Sequence, residues 1–95
     1  MRTNTEIYLD VYWEHVEKDN IPLAEITLLK ALVKDSANPA LYYEFCKLKI
    51  YQERLEAALD ALEMVEKLEP NYRDTREGIV MLQKKIASRV MSQQY

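Results

Sequence analysis

The chain has 95 residues, of which 48% are hydrophobic and 31% charged, a composition typical of one small globular domain. Its net charge of −3 is unevenly divided. Residues 1–70 carry 8 basic and 14 acidic side chains, net −6, whereas residues 71–95 carry 5 and 2, net +3. We expect no nucleic-acid partner, because an acidic body cannot neutralise the phosphates that dominate such affinity.

The cysteine count and the hydropathy pattern indicate the compartment. Cys46 is the only cysteine, so the chain cannot form an internal disulfide, and this favours a reducing compartment. No run approaches the roughly 18 consecutive apolar residues that a membrane span needs. The first ten residues include acidic side chains and no apolar core of a signal peptide. We therefore expect a cytoplasmic protein with no membrane span.

Apolar residues three and four apart, with one Gly and three Pro in the whole chain, predict an all-α domain of five helices. Asn4 or Thr5 is the expected N-cap of the first helix, Pro22 lies in the first turn of the second, and Asn38 caps a third helix that begins at Pro39. In chain order, the predicted helices run from about Thr5 to Lys18, Pro22 to Lys34, Pro39 to Tyr51, Leu55 to Leu68 and Tyr72 to Met91. Short connections predict antiparallel neighbours.

The sequence also repeats itself. When residues 5–38 are aligned with residues 39–72, a stretch of equal length, Ala24 lies over Ala58. We call the separation between these two alanines the repeat period. The other matched pairs are Tyr8 with Tyr42, Val11 with Phe45, Leu28 with Leu62 and Ala31 with Val65.

The second unit fits a known motif. The residues at the motif's positions are Tyr42, Phe45, Cys46, Lys49, Ala58, Leu62 and Pro70, of which Lys49 departs from the motif because it stands where a Tyr is expected. This pattern resembles the tetratricopeptide repeat, whose period is about 34 residues. The separation between Ala24 and Ala58 equals that period.

The resemblance implies a specific architecture. It divides one domain of residues 1–95 into a first repeat over residues 5–38, a second over residues 39–72, and a C-terminal capping helix over residues 72–91. Antiparallel helical hairpins of this family stack as a short right-handed superhelix.

The resemblance also implies which side of the first helix is buried. Tyr8, Val11 and His15 lie at positions that face the core in this family. The first unit departs from the motif at its eighth position, where a small residue is expected. Cys46 meets that requirement in the second unit, but Tyr12 stands there in the first.

The second helix carries an apolar stripe that the fourth helix lacks. Ile26, Leu29 and Val33 share one helical face, with Leu23 beside them. The fourth helix has charged residues at the same repeat positions: Asp60, Glu63 and Lys67. Because no earlier repeat covers the stripe, we predict self-association through these four apolar residues, most simply as a homodimer. The alternative is that the N-terminal residues or an unusual helix angle cover them.

In the family that the chain resembles, the first helices of the repeats line a concave groove. The residues at or beside those positions are Leu9, Trp13, Val16, Tyr43, Lys47, Ile50, Tyr51, Glu77 and Met81. A groove with a Trp, two Tyr and several aliphatic side chains suits an apolar or amphipathic peptide of another protein. The alternative is that these rings complete the small core.

No pattern predicts catalysis, a metal site or a cofactor. His15 is the only histidine, and no Cys, Asp or Glu spacing forms a metal-ligand set around it. Gly78 is the only glycine, so there is no glycine-rich loop to bind phosphate. We interpret Gly78 as the site of a close approach to the fourth helix, or as a glycine that the helix simply tolerates. The groove positions also lack the Lys and Asn pattern with which some tetratricopeptide domains grip a C-terminal carboxylate. We expect a non-enzymatic adaptor or small chaperone, with a self-associating structural module as the second hypothesis.

Overall fold

In a computed structural model that describes residues 2–92, the chain forms five helices. They are α1 (Asn4–Glu17), α2 (Ile21–Lys34), α3 (Pro39–Tyr51), α4 (Leu55–Leu68) and α5 (Thr75–Ser92). No strand occurs in this part of the chain, so the all-α prediction is confirmed. Each helix packs against the next, and the array measures 54 × 31 × 19 Å. Met1 and residues 93–95, which the predicted domain includes, lie outside the described residues.

The N-cap of α1 differs from the prediction. Thr3, rather than Asn4 or Thr5, is the cap, and its hydroxyl oxygen accepts a hydrogen bond from the backbone N–H of Glu6 at 3.1 Å. Thr3 has the extended backbone that a cap requires, and Glu6 stands three residues later, which is the spacing of a capping box. The cap therefore lies one residue earlier than the first predicted candidate.

The bounds of α3 and α4 agree with the sequence prediction. The side chain of Asn38 accepts a hydrogen bond from the backbone N–H of Ala40 at 3.0 Å, and Pro39 takes the first helical position, where no N–H is needed. Capping and turn residues thus fix these helix ends locally.

The start of α5 does not agree with the prediction. Tyr72, the expected first residue, belongs to the connection, and the helix begins at Thr75. Asn71 and Arg73 both have positive φ, 70° and 46°, a backbone conformation that an α-helix cannot contain. The connection from α4 is therefore longer than the sequence suggested.

The turn inside each hairpin has the same backbone conformation. Asp19 and Glu53 have φ values of 55° and 60°, in the left-handed region that commonly ends a helix. The next backbone N–H, that of Asn20 or Arg54, donates to the carbonyl five residues earlier at 2.8 Å in both turns. Asp19 and Glu53 are separated by one repeat period, so the spacing found in the sequence is also present in the backbone.

Burial repeats with the same period. The buried residues of α2 are Ala24, Thr27, Leu28 and Ala31, and those of α4 are Ala58, Ala61, Leu62 and Val65. Leu41 and Leu48 of α3 likewise precede the buried Thr75 and Leu82 of α5 by one repeat period. The matching residues of α1, Ile7 and Glu14, are exposed, because no described helix precedes α1 to cover them.

Two apolar clusters form the core, and α3 contributes to both. The first contains Tyr12, Ala24, Leu28, Ala31, Leu41 and Leu48; the second contains Cys46, Ala58, Ala61, Leu62, Val65 and Leu82. Phe45 packs against both clusters. Burial raises the pKa of the Cys46 thiol to about 11, so Cys46 is a core residue rather than a reactive thiolate.

The inward face of α1 differs from the one that the family resemblance implied. Val11, expected in the core, is 37% exposed, whereas Tyr12 is only 3% exposed. Tyr8 and His15 are half-buried. The large Tyr12 ring occupies a position where the motif asks for a small residue, beside Ala24 in the first cluster. The expectation for Val11 was therefore wrong, and Tyr12 is the residue that α1 buries in the core.

Gly78 marks a close approach between α5 and α4. A Cβ atom at this position would lie 2.7 Å from Cδ2 of Leu62, closer than ordinary carbon atoms pack. The close-approach interpretation of this glycine is therefore confirmed.

A nearly buried ion pair joins the two hairpins. Lys49 Nζ of α3 lies 2.6 Å from Glu25 Oε1 of α2, and the two side chains are 10% and 29% exposed. The same Nζ lies 5.0 Å from the centre of the Phe45 ring. The hydrogen bond from Lys49 lowers the pKa of Glu25, with a smaller contribution from Gln52, while burial opposes the shift.

We predict that Lys49→Met lowers the free energy of unfolding by about 2 kcal/mol at pH 7, because Glu25 loses a charged hydrogen-bond donor. The folded-state pKa of Glu25 lies below its ordinary value of 4.5, so this pair stabilises the fold above that pH and weakens as pH falls through the lowered pKa. In urea unfolding at several pH values, the stabilities of wild type and variant should therefore converge as pH falls through the lowered pKa of Glu25. A difference that stays constant with pH would contradict the assignment, and Glu25→Gln serves as the charge-removing control.

We predict that Glu53→Gly raises the stability by about 1 kcal/mol, because glycine adopts the left-handed conformation without the strain of a Cβ atom. The matched control is Glu63→Gly in the exposed interior of α4, which should lose about 1 kcal/mol. Thermal unfolding measures both changes, and effects of the same sign would contradict the conformation assigned to Glu53.

Candidate functional site

An apolar groove lies between α1 and α3 and is closed at one end by the turn that leads into α2. It has a volume of about 290 Å³. Its lining residues are Tyr12, Trp13, Val16, Asp19, Ile21, Glu44, Lys47, Leu48 and Tyr51. Trp13 is 43% exposed and Tyr51 is 66% exposed, so both rings present free surface to this groove.

The Trp13 ring is held in place by its neighbours. It meets the Tyr12 ring edge to face, with centroids 5.1 Å apart. Lys47 Nζ lies 5.5 Å from the centroid of Trp13 and 5.5 Å from that of Tyr43, and forms a 3.0 Å ion pair with Glu44. These contacts fix a partly exposed indole at the edge of the groove, which is the arrangement of a binding anchor.

The polar lining of the groove is mainly acidic. Glu44 Oε1 pairs with Lys47, but its other carboxylate oxygen is buried and has no hydrogen-bond partner within residues 2–92. Burial, and then the charge of Glu44, raise the pKa of Tyr12 to about 12. Asp19 lies at the closed end, where the Tyr51 hydroxyl donates to its carboxylate at 3.3 Å. Apart from Lys47, the charged groups that line the groove are therefore carboxylates.

Four of the nine predicted groove residues line this groove: Trp13, Val16, Lys47 and Tyr51. Leu9 and Ile50 instead pack against the first and second core clusters, respectively. Glu77 and Met81 are exposed on α5 but do not line the groove. The groove is consequently shorter than the row of family positions implied.

Tyr43, also predicted for the groove, is engaged with the connection between α4 and α5. Its hydroxyl donates to Asp74 Oδ1 at 2.6 Å, and its ring meets Tyr72 edge to face at 5.6 Å. The hydrogen bond to Asp74 and then burial raise the pKa of Tyr43 to about 12, and the same hydrogen bond lowers the pKa of Asp74. Tyr43 thus contacts Lys47 with its ring and anchors, with its hydroxyl, the connection that leads into α5.

Sequence reasoning missed five lining residues: Tyr12, Asp19, Ile21, Glu44 and Leu48. Asp19 lies in the turn between α1 and α2 and Ile21 is the first residue of α2, and no local pattern reveals that this part of the chain meets the end of α3. Glu44 lies three residues before Lys47 and was detectable as its helical neighbour. Tyr12 was not predicted for the groove because the motif has a small residue at its position.

A second apolar surface lies on α2. Leu23, Ile26, Leu29 and Val33 are all exposed, and Val33 is 81% exposed. We call these four residues the α2 strip. The residues of α4 at the matching positions, Asp60, Glu63 and Lys67, are also exposed but charged. The strip is therefore not covered by any other part of the described chain.

A cleft adjoins the α2 strip, between α2 and α4 with α3 at its base. Its volume is about 400 Å³. The residues that line this α2–α4 cleft are Leu29, Leu32, Tyr42, Phe45, Ala57, Asp60, Ala61 and Met64. Leu29 belongs to both features, so strip and cleft form one continuous apolar surface.

Comparison with known proteins does not place the chain in a family, since no protein-family model and no curated protein matches it. Among the residues from Arg2 to Ser92, no three His, Cys, Asp or Glu side chains are grouped so that they could hold a metal ion. None of the helices described here combines the length and apolar character needed to cross a bilayer. What the two exposed surfaces can bind therefore follows from their shape and charge.

We predict that Tyr43→Phe loosens the start of α5 and costs about 0.5 kcal/mol at neutral pH, since its partner Asp74 is exposed and screened by solvent. The matched control is Tyr42→Phe, whose hydroxyl makes no hydrogen bond within the described residues. Because Asp74 has a lowered pKa, the loss should shrink as pH falls below its ordinary value of 3.8. Hydrogen exchange of the α5 amides measures the effect; equal exchange in both variants would contradict it.

Proposed function

We propose that the protein is a non-enzymatic interaction module of the tetratricopeptide type, an adaptor or small chaperone that holds a segment of another polypeptide in the α1–α3 groove. The observation that carries this proposal is the half-exposed indole of Trp13, fixed at the edge of an apolar groove by Tyr12 and Lys47. A cytoplasmic location is part of the proposal and rests on the single, buried Cys46.

The internal recurrence supports the assignment to this repeat type. Turn conformation, hydrogen bonding and buried positions all return after one repeat period, and this period matches that of the tetratricopeptide repeat. In such arrays each unit contacts only its neighbours, and the open faces serve as extended binding surfaces.

The groove suits a peptide with one apolar side. If a ligand covered the exposed parts of Trp13 and Tyr51, roughly 200 Å² of surface would leave water, worth about 5 kcal/mol before the costs of association. Rigid aromatic anchors lose little side-chain entropy when they bind. This contribution is sufficient for a weak complex and needs further contacts along the groove for a tight one.

The charge of the groove selects among such peptides. Glu44 and Asp19 line it, and Lys47 is already paired with Glu44. A basic side chain beside the apolar anchor would therefore meet unbalanced negative charge. We expect an amphipathic peptide with Lys or Arg flanking its apolar face to bind better than its acidic counterpart.

Titration of Trp13 fluorescence tests the proposal. The probes are two synthetic helical peptides of about 15 residues with the same Leu and Ala face, one with Lys and one with Glu on the polar face. Trp13 is the only tryptophan, so its emission reports on the groove alone. We expect a saturable blue shift with the Lys peptide, with affinity reduced about tenfold by Tyr51→Ser.

Val33→Ser is the matched control, because Val33 is also an exposed apolar residue but lies on the α2 strip. It should leave the titration unchanged. The proposal fails if neither peptide perturbs Trp13, or if both substitutions weaken binding equally.

A further inference from the structure

The α2 strip and the α2–α4 cleft present a protrusion and a recess on one face of the molecule. Val33 is more exposed than any other large apolar side chain of the described residues, and Ile26 lies on the same face about two turns earlier. The recess is about 400 Å³ in volume and has small side chains, Ala57 and Ala61, on its α4 side. A mainly apolar recess of this volume, lined in part by alanine, can accept protruding aliphatic side chains.

Charge is arranged in the same complementary way. Leu29 and Leu32 line the cleft, which fixes the side of α2 that faces it. Because each residue of an α-helix advances by about 100°, Lys30 and Lys34 lie on the flank of α2 that faces away from the cleft. On the other side, Asp60 lies at the edge of the cleft, with Glu63 beyond it on α4. None of these four charged residues joins an ion pair within the described part of the chain. The apolar face therefore has a basic margin on α2 and an acidic margin on α4.

The accessible surface is larger than a monomer of this mass requires. It is 6503 Å², whereas a folded chain of 11.2 kDa exposes roughly 5,700 Å². The excess of about 800 Å² equals what one partner buries in a standard protein interface. This excess belongs to the whole elongated molecule, of which the exposed apolar face is one part.

We propose that this face binds a second copy of the same chain, with the α2 strip of each copy seated in the α2–α4 cleft of the other. A two-fold axis along the helices lays α2 of one copy over α4 of its partner. This arrangement brings each basic margin onto an acidic margin and each protrusion onto a recess. A second copy is favoured over an unrelated partner because one surface of this chain supplies both complementary halves, as an isologous interface requires.

The interface is separate from the α1–α3 groove. The groove is lined by residues of α1 and α3, by Asp19 of the turn and by Ile21 at the start of α2, whereas the dimer uses the strip and the cleft. Each half of the dimer therefore keeps its groove open. Failure of the peptide titration would leave this inference standing, and the reverse also holds.

Sedimentation velocity of the full chain between roughly 10 μM and 1 mM tests the inference. The wild type should show a concentration-dependent dimer, and Ile26→Glu/Val33→Glu should weaken it at least tenfold. Circular dichroism checks that the variants keep their helices. The matched control is Trp13→Ala, an exposed apolar residue of the groove, which should leave dimerisation unchanged.

A charge swap provides a test that does not depend on apolar contacts. Lys30→Glu/Lys34→Glu and Asp60→Lys/Glu63→Lys should each weaken the dimer, because like charges then meet across the two-fold axis. The combination of all four substitutions should restore the wild-type dimer. A wild type that stays monomeric at the highest concentration overturns the inference and leaves another protein as the occupant of the face. A dimer that resists Ile26→Glu/Val33→Glu, or one that the four-fold swap does not restore, overturns it as well.

Discussion

The fold depends on one helix that is buried on two sides. A single helical hairpin of about 30 residues cannot enclose a core, so each hairpin must place its apolar face against a neighbour. The middle helix α3 meets this requirement for both hairpins: Leu41 and Leu48 enter the first cluster, and Cys46 enters the second. The Lys49–Glu25 ion pair fixes the same junction with a directional contact. The relative position of the two hairpins, and with it the shape of the groove, follows from this junction.

The same constraint explains why apolar surface remains uncovered. Helices inside an array are covered on both sides, but α1 has no described helix before it, and Ile7 is accordingly exposed where Leu41 is buried. The α2 strip is a different case, because the matching positions of α4 are charged and show that this repeat position tolerates solvent. Its aliphatic side chains are therefore a feature of this sequence rather than of the architecture. Together with the groove, the strip gives the small molecule two separate surfaces for two proposed tasks.

Features that depend on neighbouring residues were predictable, and features that depend on distant ones were not. The ends of α3 and α4 follow from Asn38, Pro39 and Pro70, which act within a few residues of themselves. The late start of α5 depends on positive φ values at Asn71 and Arg73. Asn adopts such values more readily than most residues, but the residue type of Arg73 gives no signal of them.

The groove shows the same division. Tyr12 is buried although its position was expected to hold a small residue, and Val11 is exposed although it was expected in the core, because the first cluster, formed together with other helices, accepts the Tyr12 ring. Four of the nine predicted residues line the groove because the repeat period orders α1 and α3, whereas Asp19 of the turn and Ile21 at the start of α2 were not predicted.

By itself, the sequence determined the all-α class, the number of helices, the repeat period and the charged outer face of α4, since periodicity and helix-terminating residues act locally. Only the tertiary structure decided that Trp13 stays half-exposed between Tyr12 and Lys47, that Tyr43 turns to Asp74, and that a cleft opens beside the α2 strip. These outcomes depend on how closely helices approach one another. That distance is set by residues on different helices, such as Leu62 of α4 and Gly78 of α5, where the absence of a Cβ atom leaves room for the Leu62 side chain.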